Sequence, residues 1–272
     1  MYFNLDGIRY HVEVCGDRHG HVPLVLLHGF TGNSTTWTPF TECWGKYAKL
    51  IIPDIIGHGK TESPDVLSRY QIEASASDLK TLLDNIGVKQ VDILGYSMGG
   101  RLALSFAVLF PNRVRKLILE SSSPGLASES ERQQRCIKDA ELANFINEQG
   151  IRAFVDYWGE ISLFSTMKRL PSATQQKIRE QRLDNSPTGL SNSLLGMGTG
   201  SQPSWWEKLS GLSCEVLLLT GAEDQKFCAI AERMMKELKN SSWIVIEDSG
   251  HAIHVEKPEK FGTIVSDFLS KE

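Results

Sequence analysis

The sequence contains no run of eighteen consecutive apolar residues, so no segment reads as a bilayer-spanning helix. It also shows no basic leader followed by an apolar stretch, and a secretory signal is not expected from Met1-Tyr2-Phe3-Asn4-Leu5-Asp6-Gly7. An excess of positive charge is missing too. Lys and Arg total 29 against 33 Asp and Glu, a formal net charge of −4, so no general basic field draws the molecule to nucleic acid or an anionic membrane. Cysteine pairs at metal or redox spacing are absent. The five cysteines, at 15, 43, 136, 214 and 228, are odd in number and scattered, which predicts reduced thiols and a cytoplasmic protein, not a disulfide scaffold. No internal repeat or low-complexity tract occurs.

What remains is a globular composition. At 272 residues, with 41% hydrophobic and 23% charged, the chain suits one large α/β domain carrying an insertion. Strand-like apolar runs at 8–14, 23–27, 49–53, 91–94, 114–119, 215–219 and 243–246 alternate with helix-period segments at 72–86, 98–109, 229–238 and 258–269. That alternation predicts a mostly parallel sheet with helices on both faces. The rhythm breaks between 124 and 212, where polar helical patterning replaces strands. This stretch is too long for an ordinary connection. It reads as a helical lid (124–212) set over the carboxyl edge of a core formed by 1–123 and 213–272.

The strongest local signal is Gly95-Tyr96-Ser97-Met98-Gly99, a Gly-x-Ser-x-Gly between a buried strand and a helix. A nucleophile on that turn is presented above the sheet at a helix N-terminus, and its neighbours must be small. A serine hydroxyl reacts only when a base takes its proton and an acid orients the base. On folds with this elbow the chain order is serine, acid, histidine. Asp224 follows the strand at 215–219 and His251 follows the strand at 243–246, so these are the expected acid and base. Glu223 and Asp248 read as surface carboxylates, and Glu120 as a weaker acid because it ends an earlier strand. His254 pairs with no third metal ligand, so no metal is expected. His11, His19 and His21 read as solvent-facing, and His28 as a loop brace. The backbone amides of Phe30, after the strand at 23–27, and of Met98 are the expected oxyanion donors.

His28-Gly29, Asp54-Ile-Ile-Gly57-His-Gly59, the Ser97 elbow, Gly221-x-x-Asp224 and Gly250-His251 together resemble the α/β-hydrolase superfamily across nearly the whole chain. The resemblance implies the α/β-hydrolase fold, an eight-stranded, mostly parallel sheet. Serine at 97 sets the chain apart from the epoxide hydrolases and haloalkane dehalogenases, which use aspartate.

Arg101 narrows the chemistry. It lies one helical turn past Ser97, near a helix N-terminus where a cation is unfavourable by about 0.3–1 kcal/mol. A ligand carboxylate would reverse that sign through paired hydrogen bonds, and a structural acid is the competing partner. The elbow through Arg101, Ser123-Pro-Gly-Leu126, Glu131-Arg132-x-x-Arg135-x-x-x-Asp139, Trp158, and Arg182 before Thr188-Gly189-Leu190 resemble one family in particular. This is the 2-succinyl-6-hydroxy-2,4-cyclohexadiene-1-carboxylate synthases of menaquinone biosynthesis, lyases that eliminate pyruvate. The resemblance implies that Arg101, Arg135 and Arg182 grip the carboxylates of a small polyanionic substrate, that Tyr96 and Trp158 line the pocket, and that neither metal nor organic cofactor is needed. Arg135 is aligned with the family's lid arginine in preference to Arg132. A serine carboxylesterase or a carbon–carbon bond hydrolase of the same fold is the alternative.

Overall fold

The computed structural model describes residues 1–16 and 21–271. Eight strands, β1 (Tyr2–Leu5), β2 (Ile8–Cys15), β3 (Leu24–Leu27), β4 (Leu50–Pro53), β5 (Val91–Tyr96), β6 (Val114–Glu120), β7 (Glu215–Gly221) and β8 (Ser241–Ile246), form one sheet. Their order is β1-β2-β4-β3-β5-β6-β7-β8. β1 and β4 run antiparallel to β2, and every pair from β4 to β8 is parallel. The helices are α1 (Thr38–Trp44), α2 (Ile72–Asn85), α3 (Met98–Leu109), α4 (Glu129–Glu160), α5 (Ser172–Leu183), α6 (Pro187–Met197), α7 (Gln225–Glu237), the short α8 (Ile253–Glu256) and α9 (Pro258–Ser270).

The apolar runs become central strands because both sheet faces are covered. All six residues of β5 are buried. On one face α2, α3 and α7 pack through Leu79, Leu82, Leu104, Phe106 and Met234. On the other, Phe40 and Trp44 of α1 meet Phe261 and Val265 of α9. This two-sided burial is the main favourable term holding the core, at roughly 25 cal/mol per Å² of apolar surface removed from water.

β1 was not among the sequence-read strands. It is a short edge strand joined to β2 by Asp6-Gly7, with φ of 50° and 83°. Two successive positive φ values make the tight hairpin turn that Asp-Gly favours, and that dipeptide is the signal that marks it. β1 also corrects the reading of His11. Flanked by β1 and β4, β2 is no edge, and the His11 ring is buried with Nδ1 2.9 Å from the Asp54 carboxylate. His21 is exposed, and His19 lies outside the described residues.

Between β6 and β7, residues 121–214 contain no strand. α4 begins with a reciprocal cap, in which the Ser128 hydroxyl accepts from the Glu131 amide and the Glu131 carboxylate accepts from the Ser128 amide. It breaks at Gly150, where φ is 78°. Ala143, Ile146 and Phe154 of α4 pack on Leu190 and Leu194 of α6, giving the insertion a small core of its own. α6 also lies directly on the main domain. A Cβ at Gly189 would strike the Gly57 carbonyl, and one at Gly196 would lie 2.5 Å from the Tyr70 side chain.

Candidate active site

The chain turns from β5 into α3 through a single residue, Ser97, with φ 49° and ψ −105°. A non-glycine residue held there stores about 1–3 kcal/mol of strain. The neighbours show why the motif takes glycine. A Cβ at Gly95 would sit 2.6 Å from the Gly100 Cα, and one at Gly99 would collide with the Leu27 and His28 carbonyls. The turn is pinned by the Ser97 amide donating to the Glu120 carbonyl (2.9 Å) and the Arg101 amide donating to the Ser97 carbonyl (3.0 Å).

The loops after β7 and β8 bring two further groups to this turn. His251 Nε2 is 3.0 Å from Ser97 Oγ, and His251 Nδ1 is 2.6 Å from Asp224 Oδ2. Asp224 also caps α7 by accepting from the Phe227 amide at 3.4 Å. With the Nδ1–H donating to Asp224, the Nε2 lone pair faces the serine hydroxyl. The imidazole is boxed by Phe227 (4.7 Å between ring centres), Tyr96 (5.4 Å) and Phe164 (6.1 Å). Both His251 and Asp224 are buried, so their attraction is weakly screened.

The other carboxylates are occupied elsewhere. Glu223 is exposed and pairs with Arg169 at 2.6 Å. Asp248 faces solvent 3.8 Å from Lys257. Glu120 is fully buried and holds His254, accepting from its amide at 3.0 Å and lying 2.9 Å from its Nδ1. His28 accepts from the Ile55 amide at Nε2 (2.9 Å), so its Nδ1 carries the proton donated to the Gly29 carbonyl (2.8 Å). It braces two loops, and burial pushes its pKa down. Among the described residues no three His, Cys, Asp or Glu side chains cluster to hold a metal.

Above Ser97 lies a cavity of about 350 Å³. Phe30, Met98 and Trp158 line it beside His251. Met98 opens α3, so its amide is among those intrahelical bonding leaves over. The wall is cationic. Arg101, Arg135, Lys226 and Arg233 line it, against one carboxylate, Glu131. Arg101 meets neutral acceptors, not an acid. Its Nη1 donates to the Met197 carbonyl (2.6 Å) and the Gln202 side chain (2.5 Å). Burial, and then the nearby Arg135 charge, lower its pKa to about 10. Arg135 Nε donates to Asp139 at 2.8 Å, and Arg132 lines a different depression with Glu129 and Cys136.

Two expected pocket residues sit elsewhere. Tyr96 is packed beneath the site, its ring against His251 and His254 and under Gly29, and it does not line the cavity. Burial pushes its hydroxyl pKa well above the usual value. Arg182 is buried on α5 with its guanidinium 4.8 Å over the Phe164 ring, lining a separate depression with Arg179 and Gly159. Phe164 in turn meets Trp158 edge-on at 5.9 Å, so Arg182 lies in a second layer behind that aromatic wall. Conversely, Lys226 and Arg233 were not singled out by the sequence. The signal was available: seven residues apart, they share one face of the helix that starts beside Asp224.

Residues 22–258 match the family described as the alpha/beta hydrolase fold. A Bacillus subtilis protein, provisionally named a 2-succinyl-6-hydroxy-2,4-cyclohexadiene-1-carboxylate synthase, is 45% identical over 265 residues, 97% of this chain and 96% of that one. The synthase of that name from Photorhabdus laumondii is 32% identical over 91% of this chain and 85% of its own. Among solved structures, MenH from S. aureus superposes with a TM-score of 0.91 at 34% identity, covering 96% of this chain and 97% of that one. A malate-bound esterase from Thermogutta terrifontis reaches 0.82 at 27% identity, covering 96% and 93%.

Proposed function

This chain belongs to the alpha/beta hydrolase family and, within it, to the 2-succinyl-6-hydroxy-2,4-cyclohexadiene-1-carboxylate synthases, and we propose that Ser97, His251 and Asp224 carry out its reaction as a proton relay. It is a lyase of menaquinone biosynthesis acting on a small carboxylate substrate. The reaction converts 2-succinyl-5-enolpyruvyl-6-hydroxy-3-cyclohexene-1-carboxylate to the synthase product and pyruvate.

The ring hydrogen α to the succinyl ketone is the acidic one. His251 Nε2 takes the Ser97 proton while Ser97 Oγ takes that ring proton, and the C–H electrons move to the ketone oxygen. The Phe30 and Met98 amides stabilise the resulting enolate. Its collapse through the ring alkene forms the conjugated diene and breaks the distal C–O bond, and the pyruvate enolate that leaves takes the proton held by the His251 imidazolium, giving pyruvate and a neutral imidazole. No acyl-enzyme forms and no electron acceptor is required. Asp224 keeps the imidazole in the tautomer that faces serine.

The observation that carries this reading is a serine–imidazole pair opening into a cavity whose charged lining is four cations and one carboxylate. Arg101 and Arg135 face the substrate directly. Arg182 supports Phe164, and Tyr96 supports His251, from behind. The helical insertion acts as the lid, and five unpaired cysteines support a reducing, cytoplasmic setting.

The test is pyruvate release from the enolpyruvyl substrate, coupled to lactate dehydrogenase, beside hydrolysis of simple carboxylic esters. The parent is expected to release pyruvate and Ser97→Ala to lose it while remaining folded. Fast ester turnover without pyruvate would replace this reading with a carboxylesterase.

A further inference from the structure

Of the cations around the cavity, Arg101 and Arg135 each have part of their guanidinium engaged by protein acceptors, and Arg233 lies flat on Trp206 at 3.8 Å. Lys226 differs. Among the described residues its ammonium has no hydrogen-bond or ion-pair partner, and it lies 5.4 Å from the centre of the Phe227 ring. It stands in the first turn of α7, two residues past Asp224, exposed and lining the cavity. Partial burial first, and then the Arg135 guanidinium from α4 in the insertion, lower the Lys226 pKa, while the Asp224 carboxylate acts the other way.

Two like charges brought together from the two halves of the molecule repel unless an anion lies between them. Arg135 commits only Nε to Asp139, so its terminal nitrogens remain to bind a ligand. An ammonium and a guanidinium fork lining one cavity suit a carboxylate, which can accept from both at once. Glu131, the single carboxylate of the lining, is engaged in capping α4 through Ser128.

We propose that Lys226 and Arg135 together receive one carboxylate of the substrate, Lys226 being the core-domain member of the pair. This rests on the reaction assigned above. The role is in binding: Lys226 takes no proton in the elimination, and its contribution is present as soon as substrate enters.

The experiment is pyruvate release across substrate concentration for the parent, Lys226→Gln, Lys226→Arg and Lys236→Gln. Lys236 is on the same helix, exposed and paired with Glu232, and it controls for net charge. Lys226→Gln is expected to raise KM about tenfold, with kcat within about twofold of the parent, the loss typical of one charge-assisted hydrogen bond. Lys226→Arg should recover most of that loss, and Lys236→Gln should match the parent. An unchanged KM in Lys226→Gln, or an equal rise in Lys236→Gln, overturns the inference while the reaction assignment stands. Absence of pyruvate from the parent overturns both.

Discussion

Arg101 Nη1 donates at once to the Gln202 side chain, 2.5 Å away, and to the Met197 carbonyl, 2.6 Å away, binding the elbow helix of the core to the end of the insertion. One side chain therefore lines the cavity and fastens its roof. Arg101→Ala is expected to raise KM at least tenfold and to lower unfolding stability by about 1.5–3 kcal/mol, the range for a charge-assisted hydrogen bond. Gln202→Ala should lose stability with a smaller effect on KM, because the cation stays. Steady-state kinetics and urea unfolding of both variants separate the two contributions.

Replacing Asp224 by Asn leaves the geometry nearly intact but offers Nδ1 of His251 an amide in place of a carboxylate. The imidazole can then adopt the tautomer with its proton on Nε2, pointing at Ser97 and unable to accept from it. The expected loss in kcat is about 10³–10⁴-fold with little change in KM. A pre-steady-state pyruvate measurement on Asp224→Asn checks it, and activity near the parent level would remove Asp224 from the relay.

Arg182 sits behind Phe164, so its removal should register in two ways. Arg182→Ala loses a largely desolvated cation–π contact, about 2 kcal/mol of stability. It also loosens the aromatic wall that positions His251, lowering kcat/KM. Phe164→Leu, which removes the ring that transmits the effect, should reproduce the activity loss. Thermal unfolding and kinetics on the pair provide the check.

His58 gives the acid limb of stability. Burial first, and then the neighbouring His28, lower its pKa to about 3, whereas an unfolded chain protonates it near 6.5. Between those values the unfolded state binds a proton that the native state refuses. Stability is therefore fully present above about pH 6.5 and falls by about 1.4 kcal/mol per pH unit on acidification, until the native pKa is reached. His58→Asn can keep the bond that Nδ1 makes to the Ile56 carbonyl but does not titrate. In urea melts from pH 7 to 4.5 the gap in stability between parent and variant should narrow as pH falls.

Much of this is legible in the sequence itself. Buried runs such as 215–219 have one solution in a sheet covered on both faces, and the glycines around Ser97 announce a turn that a Cβ would block. β1 escaped because four residues on an edge carry little hydrophobic pattern, although Asp6-Gly7 marked its turn. Missing β1 also misplaced His11, which β1 covers. Tyr96 and Arg182 show a different limit. Sequence assigns a side chain to a loop or helix, but an arginine with four rotatable bonds can reach either side of a wall such as Phe164. Packing decides which, whereas Lys226 was within reach through its helical spacing to Arg233.

The bare backbone of α6 at Gly189 and Gly196, seated on Gly57 and Tyr70, makes that helix a fixed sill of the site. α4, bent at Gly150, rests on that sill through Ala143, Ile146 and Phe154, which lie on both sides of the bend. Filling either α6 notch with alanine would therefore pry the whole frame, α4 included, away from the wall.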